Sequence, residues 1–215
     1  MNKFGGKVKL YSYIIANDTG FSPNPFWGFC TLADCKPVIR RTADKGDWIV
    51  GLSSKATNNK IIFAMEVNEI LSFSKYYKDK RFSKKIPNFE ENTVIHKSGD
   101  NIYEPLSNGK FRQKRSMHSK NKSETENPKT KKSDLSGKNV LISTNFYYFG
   151  SKAKDIKQYD LEALIVGRGH RNNFSLEVIN KFNNFIKFIS KQKQKGLIAQ
   201  PTNWPENDSS WSLGK

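Results

Sequence analysis

The chain has 215 residues, 36% hydrophobic and 13% aromatic, which supplies enough apolar side chains for a core and excludes a wholly disordered protein. Its net charge of +17, from 37 basic and 20 acidic residues, favours nucleic acid as a partner, because each neutralised phosphate releases a counterion. The alternative is a codon bias towards lysine that serves only solubility. No apolar run of about 18 residues is present, which excludes a membrane-spanning helix, and the polar start indicates no signal peptide and a cytoplasmic location.

The first third of the chain alternates between strand-like and loop-like stretches. Alternating residues at 8–16 predict a first strand, and a loop with two prolines and two glycines follows at 17–29. This loop is rich in aromatic residues, which is unusual for a solvated segment. Residues 46–52 and 61–71 predict a β-hairpin, and residues 74–82 predict a short helix.

The middle of the chain loses regular patterning from Pro87 to Gly137. Residues 119–137 are rich in lysine and have no aliphatic side chain before Leu135, which predicts a mobile loop. We interpret the wider stretch, at about 110–137, as a basic flexible insertion.

The last third predicts strands at 140–149 and 161–167 and a helix at 174–193. Ser175 is a good N-cap for this helix, and Gly196 is placed to stop it. The elements together predict an α+β fold with one domain over 1–199 and a polar tail at 200–215. The apolar stripe of the helix consists of Val178, Ile179, Phe182, Phe185, Ile186 and Ile189.

Residues 18–51, DTGFSPNPFWGFCTLADCKPVIRRTADKGDWIVG, resemble the nucleotide modification associated domain 2 family of bacteria and phages. The later motifs AMEV, KYYKDKRF, GDNIY, SMHS, LISTNFYYFG and GRGHR fit in the same order, so that the resemblance covers about residues 10–190. It implies a place in systems that modify DNA bases or handle modified bases, without a defined reaction. The lysine-rich stretch 119–137 departs from the family as an insertion.

A second resemblance concerns the fold. The first strand, the loop-rich segment and the motifs GDWIV and IFAMEV are similar to the barrel hairpin of PUA-like domains. EVE, YTH and ASCH domains share this plan, and many of them bind RNA or modified bases. The resemblance implies a PUA-like small mixed β-barrel, or a curved sheet, packed with the C-terminal amphipathic helix.

The aromatic loop offers candidate nucleotide-binding residues. Phe26 and Trp27 can stack on an extruded base, and the Asn24 amide can read a base edge. Trp48 and Asn101 are further candidates to line such a pocket. The alternative is a proline-rich loop whose aromatic side chains fill the core.

Basic side chains near these motifs are candidates to bind phosphate. Lys36, Arg40 and Arg168 are the predicted clamp, with Arg41 and Arg171 nearby in sequence. Arginine suits this role because its planar fork matches phosphate oxygens. The alternative for each of them is a solvated surface position.

The candidate catalytic residues are Asp18, Asp100, His118 and His170, which lie in loop-like islands beside glycine or serine. A carboxylate and a histidine can act as general base and orienting partner. No two of them have a recognised catalytic spacing, and the alternative is a turn-capping aspartate or a surface histidine.

The two cysteines, Cys30 and Cys35, can be a nucleophile and a resolving thiol, but packing in the core is the favoured interpretation. Two cysteines and three scattered histidines are too few for a zinc site, so no metal is expected. No cofactor is expected either, since the sequence has no phosphate-binding loop, dinucleotide fingerprint or methyltransferase-type loop.

Three functions follow from these residues. The first is a module that binds nucleic acid or a nucleotide and recognises a modified base. The second is an enzyme of hydrolase or glycosylase type that acts on a nucleotide or base through Asp100, His118 and His170. The third is a basic domain that binds an acidic protein partner.

Overall fold

The computed structural model describes residues 8–215. Residues 1–7, on which the prediction of no signal peptide depends, lie outside the described residues. Strands and helices are mixed along the described part, which confirms the predicted α+β class. No helix in this part is both long enough and apolar enough to cross a membrane.

The strands are short and the helices are few. In chain order the strands are β1 (Leu10–Ile14), β2 (Cys30–Leu32), β3 (Trp48–Leu52), β4 (Ile61–Glu66), β5 (Glu69–Ser72), β6 (Tyr103–Pro105), β7 (Phe111–Gln113), β8 (Asn139–Ser143), β9 (Phe146–Tyr148), β10 (His170–Arg171) and β11 (Gly196–Leu197). The helices are α1 (Pro37–Thr42), α2 (Phe73–Lys78), α3 (Val94–Lys97), α4 (Pro128–Leu135) and α5 (Leu176–Lys191).

The main sheet has the order β10-β1-β3-β4-β9-β11. The predicted hairpin is confirmed as the antiparallel pair β3–β4, but its second arm ends at Glu66, and the rest of the predicted arm lies in β5 of another sheet. Strands β1 and β3 run parallel. The barrel alternative is wrong for the described residues, because β10 and β11 lie at opposite edges and do not pair. Each edge strand has only two residues, which is too little backbone to close a barrel.

The two faces of the main sheet pack against different cores. Side chains alternate along a strand, so Tyr11, Tyr13 and Ile49 lie in one buried cluster. Leu10 and Val50 belong to a second cluster, on the face that α5 covers. The sheet therefore separates the α5 side from the side that carries β2 and α1.

A second sheet, with the order β2-β8-β5, supports the other side of the molecule. The predicted strand at 140–149 is in fact two strands, β8 and β9, which belong to different sheets. The chain changes sheet at Thr144 and Asn145, whose N–H groups donate to Asn68 Oδ1 over 2.8 and 3.1 Å. These bonds give the two backbone N–H groups a partner at the point where the chain leaves one sheet and enters the other.

The C-terminal helix α5 confirms the strongest prediction from the sequence. Ser175 caps it by accepting a hydrogen bond from the Val178 N–H, and the Phe182 ring lies 5.4 Å from the ring of Trp48. The predicted stop at Gly196 is wrong, because Lys193 adopts the left-handed conformation that follows the helix. Gly196 instead begins β11.

The predicted strand at 161–167 is also wrong. A 3-10 turn forms at Glu162–Leu164, with Leu161 and Leu164 buried three residues apart. This spacing places both side chains on one side of a 3-10 turn, whereas a strand would alternate them. The Ser12 hydroxyl donates to the Leu164 carbonyl over 2.7 Å and fixes the turn against β1.

The loop predicted at 119–137 is wrong for the eight residues of α4. Asn127 caps this helix by accepting from the N–H groups of Lys129 and Thr130, and Pro128 occupies its first position. Leu135 at the end of the helix packs against an apolar cluster, and the buried carboxylate of Asp134 is a second, polar anchor. A search for aliphatic residues could not detect a polar anchor of this kind.

The tail at 200–215 packs against the aromatic loop. Trp204 is buried with its ring 5.4 Å from that of Phe26, and its Nε1 donates to the Thr19 carbonyl over 2.8 Å. The Trp27 N–H donates to the Gly214 carbonyl over 2.7 Å. The loop is therefore held in place by the tail as well as by the sheets.

Candidate active site

Cys35 lies at a sharp turn between strand β2 and helix α1. Its φ of 56° and the φ of 38° at Lys36 place both residues in the left-handed region, which side chains other than glycine rarely adopt. Such strain, of order 1–3 kcal/mol, persists only where surrounding bonds impose it. Here the Cys35 N–H donates to Asp134 Oδ1 over 2.8 Å, and Arg40 Nε donates to the Cys35 carbonyl over 2.8 Å.

The Cys35 thiol forms a chain of contacts with His118 and Asp134. Cys35 Sγ lies 3.4 Å from His118 Nε2, and His118 Nδ1 lies 2.6 Å from Asp134 Oδ2. The Tyr103 hydroxyl donates to the same Asp134 oxygen over 2.8 Å. A nucleophile, a base and an orienting carboxylate in this order form the arrangement found in triad enzymes.

The backbone of His118 is held by neighbouring side chains. The Thr130 hydroxyl donates to the His118 carbonyl over 2.7 Å, and Gln113 Nε2 donates to it over 3.3 Å. The ring of Phe21 packs edge-on against the imidazole, with centroids 4.9 Å apart. The imidazole is therefore positioned from the side of α4 and from the aromatic loop.

The charge state of His118 follows from its surroundings. Burial lowers the pKa of His118, but the hydrogen bonds to Asp134 and Cys35 and the charge of Asp34 outweigh it and raise the pKa to about 11. The imidazole is thus protonated at neutral pH. An imidazolium 3.4 Å from a thiol sulfur is suited to stabilise a thiolate there.

Asp34 lies beside this chain of contacts and is fully buried. Among residues 8–215, no hydrogen-bond partner is found for either of its carboxylate oxygens. Burial, followed by the neighbouring Asp134, raises the pKa of Asp34 well above its usual value. The protonated form of Asp34 is therefore favoured more than it would be for an exposed carboxyl group.

One group of residues in the described chain has the composition of a metal site. Ligand atoms of Asp34, His118 and Asp134 all lie within 4.8 Å of one another. A cation there would compete with the hydrogen bond between His118 and Asp134. Because His118 already bonds to both Asp134 and the Cys35 thiol, the arrangement favours acid–base chemistry.

An open cleft of about 360 Å³ gives access to the thiol, and we call it the catalytic lobe. Lys36 Nζ lies in it, 3.3 Å from the Ile14 carbonyl and 4.6 Å from the centre of the Tyr13 ring. Burial lowers the pKa of Lys36, and no carboxylate among the described residues pairs with it. The residues that define the catalytic lobe are Tyr13, Phe21, Cys35, Lys36, Met117 and His118.

The four predicted catalytic residues lie in different places, and only His118 contacts the Cys35 thiol. Asp18 is buried and accepts from the Tyr148 hydroxyl and from Thr202. It thus anchors the tail, and burial raises its pKa.

Asp100 and His170 are also separate from the thiol. Asp100 is buried, burial raises its pKa, and it accepts from the hydroxyls of Thr31 and Tyr76, each over 2.7 Å. His170 lies in β10 opposite Tyr13, and its pKa is lowered by burial and by the charge of Lys36. His170 is therefore near the catalytic lobe, whereas Asp100 belongs to a buried network.

The predicted base-binding side chains do not converge on one pocket. Asn24 is buried, donates to the carbonyls of Gly20 and Ser98 and accepts from Lys85. Asn101 is buried and donates to backbone carbonyls of the interior. Both amides are therefore occupied within the protein.

The predicted aromatic residues occupy three environments. Phe26 is buried against Trp204, and Trp48 packs on the α5 side of the main sheet. Trp27 is partly exposed, with Lys84 Nζ 4.9 Å from its ring. Of these, Trp27 alone combines an exposed ring with a neighbouring cation.

The predicted phosphate clamp is likewise dispersed. Lys36 lines the catalytic lobe, and Arg168 is exposed near β10. Arg40 is buried and donates to the carbonyls of Cys35, Asp134 and Asn139. The Arg40 guanidinium thus holds α1 and α4 together around the thiol.

Two members of the site were not among the predicted catalytic residues: Cys35, for which packing in the core was favoured over a nucleophilic role, and Asp134, which was not a candidate. For Cys35 a signal was present, because a strand-like run ends in Asp-Cys-Lys followed by a proline suited to a first helical turn. For Asp134 the sequence offered no signal, because it lies 99 residues from Cys35 and in a lysine-rich stretch. Only the fold brings the two together.

Comparison with known proteins places the chain in a family but gives no characterised relative. The family model described as nucleotide modification associated domain 2 matches residues 7–208, which confirms the resemblance seen in the sequence. No curated protein and no solved structure matches the chain.

Proposed function

Because the chain belongs to the nucleotide modification associated domain 2 family, we propose that it is a cysteine-dependent hydrolase acting on a modified nucleotide base. The observation that carries this proposal is the chain of contacts from Cys35 Sγ through His118 to Asp134 Oδ2, at 3.4 and 2.6 Å. The net charge of +17 supports an anionic substrate, either a nucleotide or DNA.

The proposed reaction is acyl transfer to sulfur followed by hydrolysis. The Cys35 thiolate forms a bond to an acyl or amide carbon on the base, the bond to the leaving group breaks, and His118 gives its proton to that group. Water then attacks the thioester, His118 takes a proton from it, and the sulfur leaves as thiolate. Asp134 keeps the imidazole oriented in both steps.

Lys36 suits the charge that develops in this reaction. Lys36 directly follows Cys35 in the sequence, and both residues line the same lobe. Among the residues described, no carboxylate pairs with the Lys36 ammonium group. A fixed cation at this place would stabilise an oxyanion on the substrate. This role accords with the prediction that Lys36 binds an anionic group.

A pure reader of modified bases is less well supported. Its predicted pocket relied on the amides of Asn24 and Asn101, whose hydrogen bonds go to the interior. Recognition of the base would then depend on the catalytic lobe. The likeness to PUA-like domains stays a prediction.

The test is turnover of defined substrates by wild type and two cysteine variants. Deoxynucleotides with acyl or amide-linked groups on the base, free and within DNA strands, are incubated with protein and followed by mass spectrometry. We expect wild type and Cys30→Ala to consume at least one of them and Cys35→Ser to be inactive. Cys30 is the matched control because it is a free cysteine buried in the core, and among the described residues it forms no hydrogen bond with His118.

Two results would contradict the proposal. One is turnover that persists in Cys35→Ser, which would place the chemistry elsewhere. The other is binding without any product in every variant, which would make the protein a reader.

A further inference from the structure

A second cleft, of about 370 Å³, lies beside the catalytic lobe. Ile15 and Ala16 line both clefts, so the segment directly after β1 forms the partition between them. We call the second cleft the polar lobe, after the side chains that define it, Ser53, Thr57, Asn58, Lys60, Ser151 and Thr202.

One wall of the polar lobe is the connection between β3 and β4. The Ser53 N–H donates to the Lys60 carbonyl over 2.8 Å, and the Lys60 N–H donates to Ser53 Oγ over 2.9 Å. Ser53 Oγ also donates to the Thr57 carbonyl over 3.1 Å. These bonds hold the loop in one backbone conformation. That conformation sets the direction of the side chains on the outer side of the loop.

The opposite wall joins β9 to the tail. The Ser151 N–H donates to the Gln200 carbonyl over 2.8 Å. Gly150 has a φ of 49°, and a Cβ there would lie 2.1 Å from the Gln200 oxygen. Glycine is therefore required at this position, because only a residue without a side chain lets the tail approach so closely.

Several polar side chains of this lobe have no bonding partner within the described part of the protein. Asn58, Lys60 and Ser151 are exposed, and none of their side chains forms a hydrogen bond or ion pair with another residue of the described chain. The one carboxylate on the walls, Asp18, is already bonded to Tyr148 and Thr202. The charge available to a ligand is therefore the positive charge of Lys60.

We propose that the polar lobe binds the sugar and phosphate of one nucleotide unit, whose base crosses Ile15 and Ala16 to reach Cys35. This inference rests on the proposed function. Lys60 would pair with the phosphate, while Asn58 and Ser151 would bond to oxygens of the sugar. Each lobe alone is near the lower end of about 300–1,000 Å³ for ligand pockets, and the two together suit one nucleotide.

The test is isothermal titration of Cys35→Ser protein with the four common deoxynucleoside 5′-monophosphates and with the matching nucleosides. We expect monophosphates to bind more tightly than nucleosides. Adding Lys60→Met should weaken monophosphate binding about tenfold, since a lost ion pair of about 1.4 kcal/mol is a factor of ten, and should leave nucleoside binding unchanged. Lys55→Met, on the same loop but outside the lobe, is the matched control and should have no effect.

Equal effects of Lys60→Met and Lys55→Met would overturn the subsite, as would the absence of binding by all four monophosphates at millimolar concentration. The two proposals fail in different ways. If wild type turns over substrate and Lys60→Met does so equally well, the proposed role of the polar lobe is wrong and the Cys35 chemistry stands. If monophosphate binding depends on Lys60 but wild type forms no product, the proposed Cys35 chemistry is wrong and the subsite stands.

Discussion

A single carboxylate, that of Asp134, orders both partners of the proposed reaction. Its Oδ1 accepts from the backbone of Cys35 and its Oδ2 accepts from the imidazole of His118. Any shift of Asp134 would therefore move the sulfur and the imidazole together. The neighbouring Asp34 forms no side-chain hydrogen bond with the described residues, so Asp134 is the carboxylate that holds the imidazole.

At this scale we predict that the reactivity of Cys35 depends on His118. With the pKa of His118 raised to about 11, the imidazolium persists across pH 6–10, so alkylation of Cys35 by iodoacetamide should vary little over that range. In His118→Ala the rate should fall about tenfold at pH 7 and rise with pH, because no imidazolium remains to stabilise the thiolate. Rates are measured by peptide mass spectrometry.

His96→Ala is the control for this measurement. His96 is also partly buried and bonded, to the Thr93 hydroxyl, but it lies beside Trp27 and not at the thiol. A similar loss of Cys35 reactivity in both histidine variants would contradict a specific ion pair.

Among the elements, helix α4 is the one whose stability decides the geometry of the site. It has eight residues, too few to be stable alone, and it depends on its cap and on Asp134. Arg40 joins it to α1 through the Asp134 carbonyl. Two short helices are thus fastened to each other around Cys35 by polar bonds.

We predict that Asn127→Ala weakens both the helix and the site. Loss of the cap should lower the free energy of unfolding by about 1 kcal/mol and slow the alkylation of Cys35, because Asp134 is held less firmly. Urea unfolding and the alkylation assay measure the two effects. Asn108→Ala, which removes a similar bond to a backbone N–H in the exposed turn between β6 and β7, should change stability less and leave alkylation unaltered.

Sequence patterns predicted the elements that carry their own periodicity. The apolar stripe predicted α5, and two short apolar runs joined by a polar connection predicted β3 and β4, because both patterns are local. The parallel pairing of β1 with β3 and the open edges of the sheet depend on contacts between distant segments. The same holds for the site, where His118 was a candidate but its partner Cys35 lies 83 residues away.

At the scale of the whole molecule, the tail closes the structure around the aromatic loop. Thr202 bonds to Asp18, and Trp204 fills the space against Phe26. The added Cβ of an alanine at Gly20 would lie 2.8 Å from both the Phe26 ring and Pro201. Loop and tail are therefore packed at the density of a core.

We predict that Trp204→Ala destabilises the protein by about 3 kcal/mol, the range for removing a large buried aromatic side chain. Trp211→Ala is the comparison, because Trp211 is only partly buried and should cost less. Urea denaturation followed by circular dichroism measures both. Equal losses for the two tryptophans would mean that the tail does not contribute to the core as the packing indicates.

The contact between the tail and the aromatic loop also bears on how the protein matures during synthesis. Cys35, His118 and Asp134 leave the ribosome well before Thr202 and Trp204, which come late in the chain. Until those late residues emerge, Asp18 lacks Thr202 and the polar lobe lacks one wall. In the proposed scheme, a nascent chain therefore carries Cys35, His118 and Asp134 before the polar lobe has all of its walls.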